Sequence, residues 1–227
     1  MNIKMLSLLA AATALTATTA LGAIQGPNHE EDDDAGSNVN NAKKLTGAGA
    51  LNTITGALTG SNRGEGDFQD VYEVYISNPE IFRLQFAPTD GGFNTMLWLF
   101  DQEGRGLLGN DNSFIDGEPT PLSFLGNSST DGSFQLVNPG RYYIAISGFN
   151  SQPVSAQGSI FDLGDDLFGV YGAQGQGANA PQIGWTQDGD IGSYFLHLDG
   201  VEFIPLPAPG ALALLGLAGL RSRRRRR

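Results

Sequence analysis

The chain has no cysteine. That absence excludes a disulfide framework, thiolate metal sites and cysteine nucleophiles together. Histidine is nearly as scarce. His29 lies in the acidic stretch Asn28-His-Glu-Glu-Asp-Asp-Asp34 and His197 in an alternating apolar segment, and each reads as a solvated or packed residue rather than a catalyst. Bases are short over most of the length. Between residues 23 and 206, Lys43, Lys44, Arg63, Arg83, Arg105 and Arg141 face all 24 acidic residues, a formal charge of −18 that the whole-chain value of −11 hides. Such a surface disfavours nucleic acid and anionic lipid and suits divalent cations or a cationic matrix. Also missing are a Gly-x-Ser-x-Gly elbow, a His-Glu-x-x-His pair and a glycine-rich phosphate loop opening a helix, so the residue patterns point away from an enzyme. Carboxylate pairs of the kind a glycosidase uses abound, but each sits in a turn-like stretch where carboxylates bond their own backbone.

The two ends carry what the body lacks. Met1-Asn-Ile-Lys4 is a positive start, Met5 to Leu21 is free of charge, and Ala20-Leu21-Gly22 is a small-x-small cleavage site. This layout predicts a secretory signal peptide over residues 1–22, with the mature chain beginning at Ala23. At the other end come Ile204-Pro-Leu-Pro-Ala-Pro-Gly210, the apolar Ala211 to Leu220, and six arginines, Arg221, Arg223, Arg224, Arg225, Arg226 and Arg227. Proline excludes helix before Gly210, alanine and leucine then favour it, and arginines hold the terminus on the cytoplasmic side. Ten residues are too few for a span of roughly twenty. A short C-terminal hydrophobic helix is expected, anchored in the inner membrane transiently or, if the tail is not processed, retained there.

This tail resembles the PEP-CTERM protein-sorting signal of Gram-negative bacteria, a Pro-Glu-Pro motif followed by an apolar helix and an arginine cluster. Here Pro207-Ala208-Pro209 has alanine in place of the glutamate. The resemblance covers residues 205–227. It implies an exosortase-like processing enzyme as partner and a destination at the cell surface or in an extracellular polysaccharide matrix.

The 184 residues left between the two ends suffice for one domain with a sizeable core. Residues 23–50 are polar, acidic and poor in aromatics, and read as a disordered lead-in. The run Glu30-Glu31-Asp32-Asp33-Asp34 within it reads as a solvated linker in preference to a weak cation site. From Leu51 the pattern changes. Leu51 to Leu58, Asp70 to Ile76 and Phe82 to Phe86 alternate, with Phe82, Leu84 and Phe86 on one face and Arg83 and Gln85 on the other. Thr95 to Phe100 is a dense apolar strand closed by the turn Asp101-Gln-Glu-Gly104, and Phe134 to Val137, Arg141 to Ser147, Ser193 to Leu198 and Val201 to Ile204 complete the set. Short β-rich segments bounded by Gly, Pro, Asn and Asp predict an all-β fold, a β-sandwich of jelly-roll type over residues 51–204.

Four of these segments, in order, carry a second resemblance: Gly66-Asp67-Phe-Gln-Asp70-Val-Tyr72, Leu97-Trp-Leu-Phe-Asp101-Gln-Glu-Gly104, Asn138-Pro-Gly-Arg-Tyr142-Tyr-Ile-Ala-Ile146 and Gly192-Ser-Tyr-Phe-Leu-His-Leu198. They are similar to the bacterial pre-peptidase C-terminal (PPC) domain. That family implies a β-sandwich accessory module, with roles proposed in substrate binding, targeting or secretion and with calcium bound in some of the wider class. The stretch from Gln152 to Gly189, rich in Gly, Asp and Gln, departs from it and reads as a long surface loop.

For a metal, Asp67, Asp70, Asp101 and Asp111 are the candidate ligands, because loops between strands can supply the six to eight oxygens calcium takes. The competing reading, favoured by residue type, is that they cap turns through their own backbone. Phe149, Phe161, Phe168, Tyr171 and Trp185, in or beside the insert, are either a sugar-binding surface or, the preferred reading, rings that fill a core and pin the loop. Two function classes follow. One is an exported non-enzymatic surface or matrix protein. The other is a carbohydrate- or protein-binding module assisted by calcium. A secreted hydrolase ranks third.

Overall fold

The computed structural model describes residues 27–60, 66–89 and 92–206. Within them the chain is all-β. There is no α-helix among these residues, and the one helical turn is the 3-10 turn Pro79–Ile81, whose Glu80 N–H is capped by the Asn78 side chain at 3.2 Å. The expected signal peptide and the sorting tail from Pro207 to Arg227 lie outside the described residues. No helix among the described residues is long and apolar enough to cross a membrane.

The chain enters through three short strands, β1 (Asn28–Glu30), β2 (Lys43–Lys44) and β3 (Thr46–Gly47). Next come β4 (Thr53–Leu58), β5 (Gln69–Ile76), β6 (Arg83–Ala87), β7 (Thr95–Phe100) and β8 (Gly106–Asn110). A hairpin of β9 (Ser113–Ile115) and β10 (Glu118–Thr120), then the short β11 (Phe124–Leu125), lead to the long β12 (Gly140–Gly148). After β13 (Pro153–Ser155), β14 (Gly158–Ser159), β15 (Tyr171–Gly172) and β16 (Gln182–Trp185), the described residues close with β17 (Gly192–Asp199), β18 (Val201–Glu202) and β19 (Ile204–Pro205).

Two sheets organise these strands. One runs β1-β4-β17-β6-β11, the other β15-β8-β7-β12-β5-β18 with β2 also beside β5. Successive long strands alternate between them, β4 and β6 in the first, β5 and β7 in the second. Period-two alternation sends every second side chain inward. Ile54 and Leu58 of β4, Leu84 and Phe86 of β6, and Leu196 and Leu198 of β17 meet Tyr72, Val74 and Ile76 of β5, Leu97 and Leu99 of β7, and Ile144 and Ile146 of β12 in one core. The expected faces of Phe82 to Phe86 are those observed.

The second sheet is apolar on its outer face too. Val71, Met96, Trp98, Phe100 and Ala145 form a second core there with Val39, Ile160 and Phe161. This explains why β7 is an unbroken apolar run: all six of its residues are buried, and a strand covered on both faces has no polar side to show. The cover comes from the segment expected to be a long surface loop. Instead, β13, β14 and β16 build a three-stranded sheet, and Phe161 packs 5.0 Å from Trp98 and 6.3 Å from Phe100, ring centre to ring centre. Trp98 donates to Ser147 Oγ at 2.9 Å, so its indole N–H is satisfied inside this core. Gly109 makes the packing possible, since a Cβ there would stand 2.6 Å from the Trp98 ring.

The lead-in is corrected as well. From Asn28 it is ordered β structure, with β1 parallel to β4 and β2 parallel to β5. Val71 N–H donates to Gly36 O at 2.9 Å, and Ala35, Val39 and Leu45 are buried. It therefore crosses from the edge of one sheet to the edge of the other. Gln182 and Trp185 of β16 hold it from outside: Val39 N–H donates to Gln182 Oε1 at 3.1 Å, and the Trp185 indole to Ser37 O at 2.6 Å. The tail, expected to begin at residue 205, is also shorter, because Pro205 still belongs to β19, parallel to β3.

Candidate metal centre

The order of the lead-in brings acids together that are far apart in sequence. Asp67 sits just before β5 and Asp70 is its second residue, inward-facing and fully buried. Asp34 reaches them from the lead-in. Carboxylate oxygens of Asp34, Asp67 and Asp70 lie within 4.8 Å of one another. Glu31 is close enough for its charge to act on Asp70.

Hydrogen bonds aim each carboxylate. Asp67 Oδ2 accepts from the Thr59 backbone N–H at 2.9 Å and from its hydroxyl at 2.6 Å. Asp70 Oδ2 accepts from the Tyr194 hydroxyl at 2.6 Å, which lies 2.7 Å from the Tyr72 hydroxyl. Asp34 Oδ1 accepts from Gly36 N–H at 2.9 Å, and Glu31 Oε2 from Ala57 N–H at 2.9 Å. The other oxygens of the two buried aspartates, Asp67 Oδ1 and Asp70 Oδ1, have no hydrogen-bond partner. Gly56 of β4 leaves room for the assembly, because a Cβ there would come 2.3 Å from Tyr194 Oη and 2.4 Å from Glu31 Oε2.

Burial and neighbouring negative charge make this arrangement costly for a bare carboxylate. Desolvation first, then the charge of Glu31, pushes the Asp70 carboxyl well above its ordinary range, only partly opposed by the Tyr194 hydrogen bond. The same burial and the same acids raise Tyr72 and Tyr194 well above the usual phenol range. A cation placed among these oxygens would reverse that logic. The donors are all oxygen, which suits a hard divalent ion and not zinc or copper. Ligands on opposite sides of a calcium ion, each about 2.4 Å away, stand about 4.8 Å apart, so oxygens that all lie within 4.8 Å of one another can share one ion.

Of the four aspartates singled out from sequence, the structure brings Asp67 and Asp70 together. Asp101 and Asp111 do not join them. Asp101 closes the β7–β8 turn, its Oδ1 accepting from Arg105 N–H at 2.8 Å and its Oδ2 facing the Arg105 guanidinium at 3.4 Å. Asp111 follows β8 and is half-buried beside the 163–171 segment, with its carboxyl raised by desolvation to about 6. Nothing in the sequence placed Asp34 and Glu31 beside Asp67 and Asp70, because their run reads as linker. The available signal was that the run precedes Ala35, a small apolar residue that anchors it in the core.

His29 is not solvated. It is buried in β1 with its ring 5.7 Å from Tyr72, edge to face, and burial lowers its pKa. His197 lies on the outer face of β17 against Phe195, 4.8 Å between ring centres. No protein-family model matches the chain, and no curated protein does.

Proposed function

We propose that this is an exported, non-enzymatic surface or matrix protein whose body is a jelly-roll β-sandwich of the PPC kind, held closed by a calcium ion at Asp34, Asp67 and Asp70. The observation that carries the calcium reading is the pair of buried carboxylate oxygens, Asp67 Oδ1 and Asp70 Oδ1, that lack partners within a group of acids. Native proteins leave few such groups unpaired. The alternation of strands between sheets, with β4-β17-β6-β11 on one side and β8-β7-β12-β5 on the other, supports the jelly-roll reading. Export rests on the charged start and apolar stretch of residues 1–22 and on the Pro207-Ala208-Pro209, apolar and arginine tail. The tail would engage the inner membrane transiently and an exosortase-like enzyme would process it.

Fractionation of the host with intact-mass analysis tests export. A soluble product beginning near Ala23 and lacking the residues beyond about Pro209 is expected; a full-length product in the cytoplasm would overturn the reading. Isothermal titration with calcium tests the ion separately. Heat of binding that disappears in Asp67→Asn is expected, and no heat in the wild type would remove the ion from the proposal.

A further inference from the structure

On the first sheet, the face turned away from the core forms a groove of about 670 Å³. Its floor is set by strand register. Thr53, His197 and Gln85 stand side by side across β4, β17 and β6, and Asp199 stands opposite Arg83 one pleat further along. Neighbouring strands are about 4.8 Å apart, so the floor is a regular grid of hydroxyl, imidazole, amide, guanidinium and carboxylate groups. The β9–β10 hairpin supplies a wall of Phe114, Ile115 and Asp116.

Two features mark this grid as more than ordinary solvated surface. Of the described lysines and arginines, Lys43, Lys44, Arg105 and Arg141 each pair with a carboxylate, and Arg83 does not. Its guanidinium is nonetheless held, lying 5.4 Å over the Phe124 ring and bonding Gln85 Oε1. The wall, in turn, presents a large apolar ring to water: Phe114 is 51 % exposed, braced by Phe168 with ring centres 4.4 Å apart.

We infer that this groove binds a neutral polysaccharide chain. Sugar hydroxyls both donate and accept, and the floor offers both kinds of partner in closely spaced pairs. The apolar C–H face of a pyranose fits against an exposed aromatic ring such as Phe114. Charge decides against an anionic polymer, because Asp116 and Asp199 offset Arg83 within the groove and the body around it carries −18. A peptide adding itself as a strand is excluded by geometry, since β4, β17 and β6 are already paired edge to edge beneath the groove. The volume lies in the range of small-ligand sites, about 300–1,000 Å³, enough for a short stretch of chain. The inference deepens the matrix-protein reading by naming the partner. It shares no residue with the metal centre, so the two can fail independently.

The test is affinity electrophoresis of the folded protein through gels containing laminarin, dextran or xylan, with alginate as the polyanionic comparison, in calcium and in chelator. Retardation by at least one neutral glycan is expected, weakened about tenfold in Phe114→Ala and in His197→Ala, which corresponds to one well-placed contact. Both side chains lie at the surface, and a melting curve for each variant verifies folding. Absence of retardation by all three neutral glycans, retardation by alginate alone, or retardation unchanged in both variants would overturn it. A protein recovered from the matrix fraction that shows no neutral-glycan retardation would sink this inference and leave the export reading standing.

Discussion

Asp70→Asn gives the most informative perturbation of the metal centre, because its effect should change sign with calcium. Without the ion, the folded chain holds the Asp70 proton more tightly than the unfolded chain does, where the ordinary value is 3.8. Between that value and the raised folded one, the native state binds more protons, so stability falls as pH rises. The carboxylates facing the group are Glu31, Asp67 and Asp34, and they act in the same direction. In chelator, then, the wild type should melt higher at about pH 5 than at about pH 8, and Asp70→Asn should lose much of that slope. The structure also scales the response to calcium. Two buried oxygens without partners, each costing about 1–3 kcal/mol, leave about 2–6 kcal/mol for an ion to recover. At about 2–4 °C per kcal/mol for a domain of this size, calcium should raise the wild-type midpoint at pH 8 by roughly 5–20 °C. Because binding displaces a proton, the rise should shrink toward pH 5. Differential scanning calorimetry across pH, with and without calcium, reads all three quantities. A wild-type midpoint indifferent to calcium, or an Asp70→Asn protein that responds as the wild type does, would refute the reasoning.

Phe161→Ala removes the ring that seals the outer core against Trp98 and Phe100; the loss should be about 3–5 kcal/mol by chemical denaturation, whereas a true surface loop would tolerate the change within about 0.5 kcal/mol. Gly56→Ala drives a methyl group into Tyr194 and Glu31, and should cost about 1–3 kcal/mol while weakening calcium binding in the same titration. At Asp111, whose carboxyl sits near 6, charging is opposed in the fold, so wild-type stability falls as pH climbs from 3.8 through 6. Asp111→Asn should therefore be more stable than the wild type above about pH 6.5 and lose that advantage below about pH 4, read from paired denaturation curves.

Strands with one wet face were legible through alternation, and β7, covered on both faces, through its unbroken apolar run. β6 and β17 alternate because Arg83, Gln85 and His197 look outward, and β12 and β5 are bracketed by Pro-Gly and Asp turns that end pairing. β8 escaped notice because Gly-Leu-Leu-Gly-Asn has neither β-branched residues nor alternation; its glycines serve the rings of Trp98 and Phe161 on one side, a reason that only the folded neighbours reveal. Phe134 to Val137 shows the converse error. It has strand-like residues, but apart from a single bridge from Gln135 to Ser128 it runs as loop, with Leu136 buried and Val137 exposed. Of the metal centre, Asp67 and Asp70 stood out through their place at a strand start. The distant half, Asp34, was hidden because no local pattern announces which acidic run will be laid along a sheet edge.

That placement bears on how a chain without cysteine holds residues 27–47 in place. By composition, residues 27–47 should not order themselves, since the apolar side chains they bury are only Ala35, Val39 and Leu45, beside His29 and many acids. Their backbone finds partners on two sheet edges, at Thr55 and at Glu73, and their outer side is clamped by Gln182 and Trp185. What remains unfavourable is electrostatic. Lys43 neutralises Asp32 at 2.5 Å, but no described base makes a salt bridge to Asp34, Asp67 or Asp70. An ion there would supply the missing positive charge and close the chain between residues 34 and 70, the topological work a disulfide does in cystine-rich domains. On the calcium reading, the acidic run would act as one half of a clasp, its charge drawn in by the cation rather than repelled by Asp67 and Asp70.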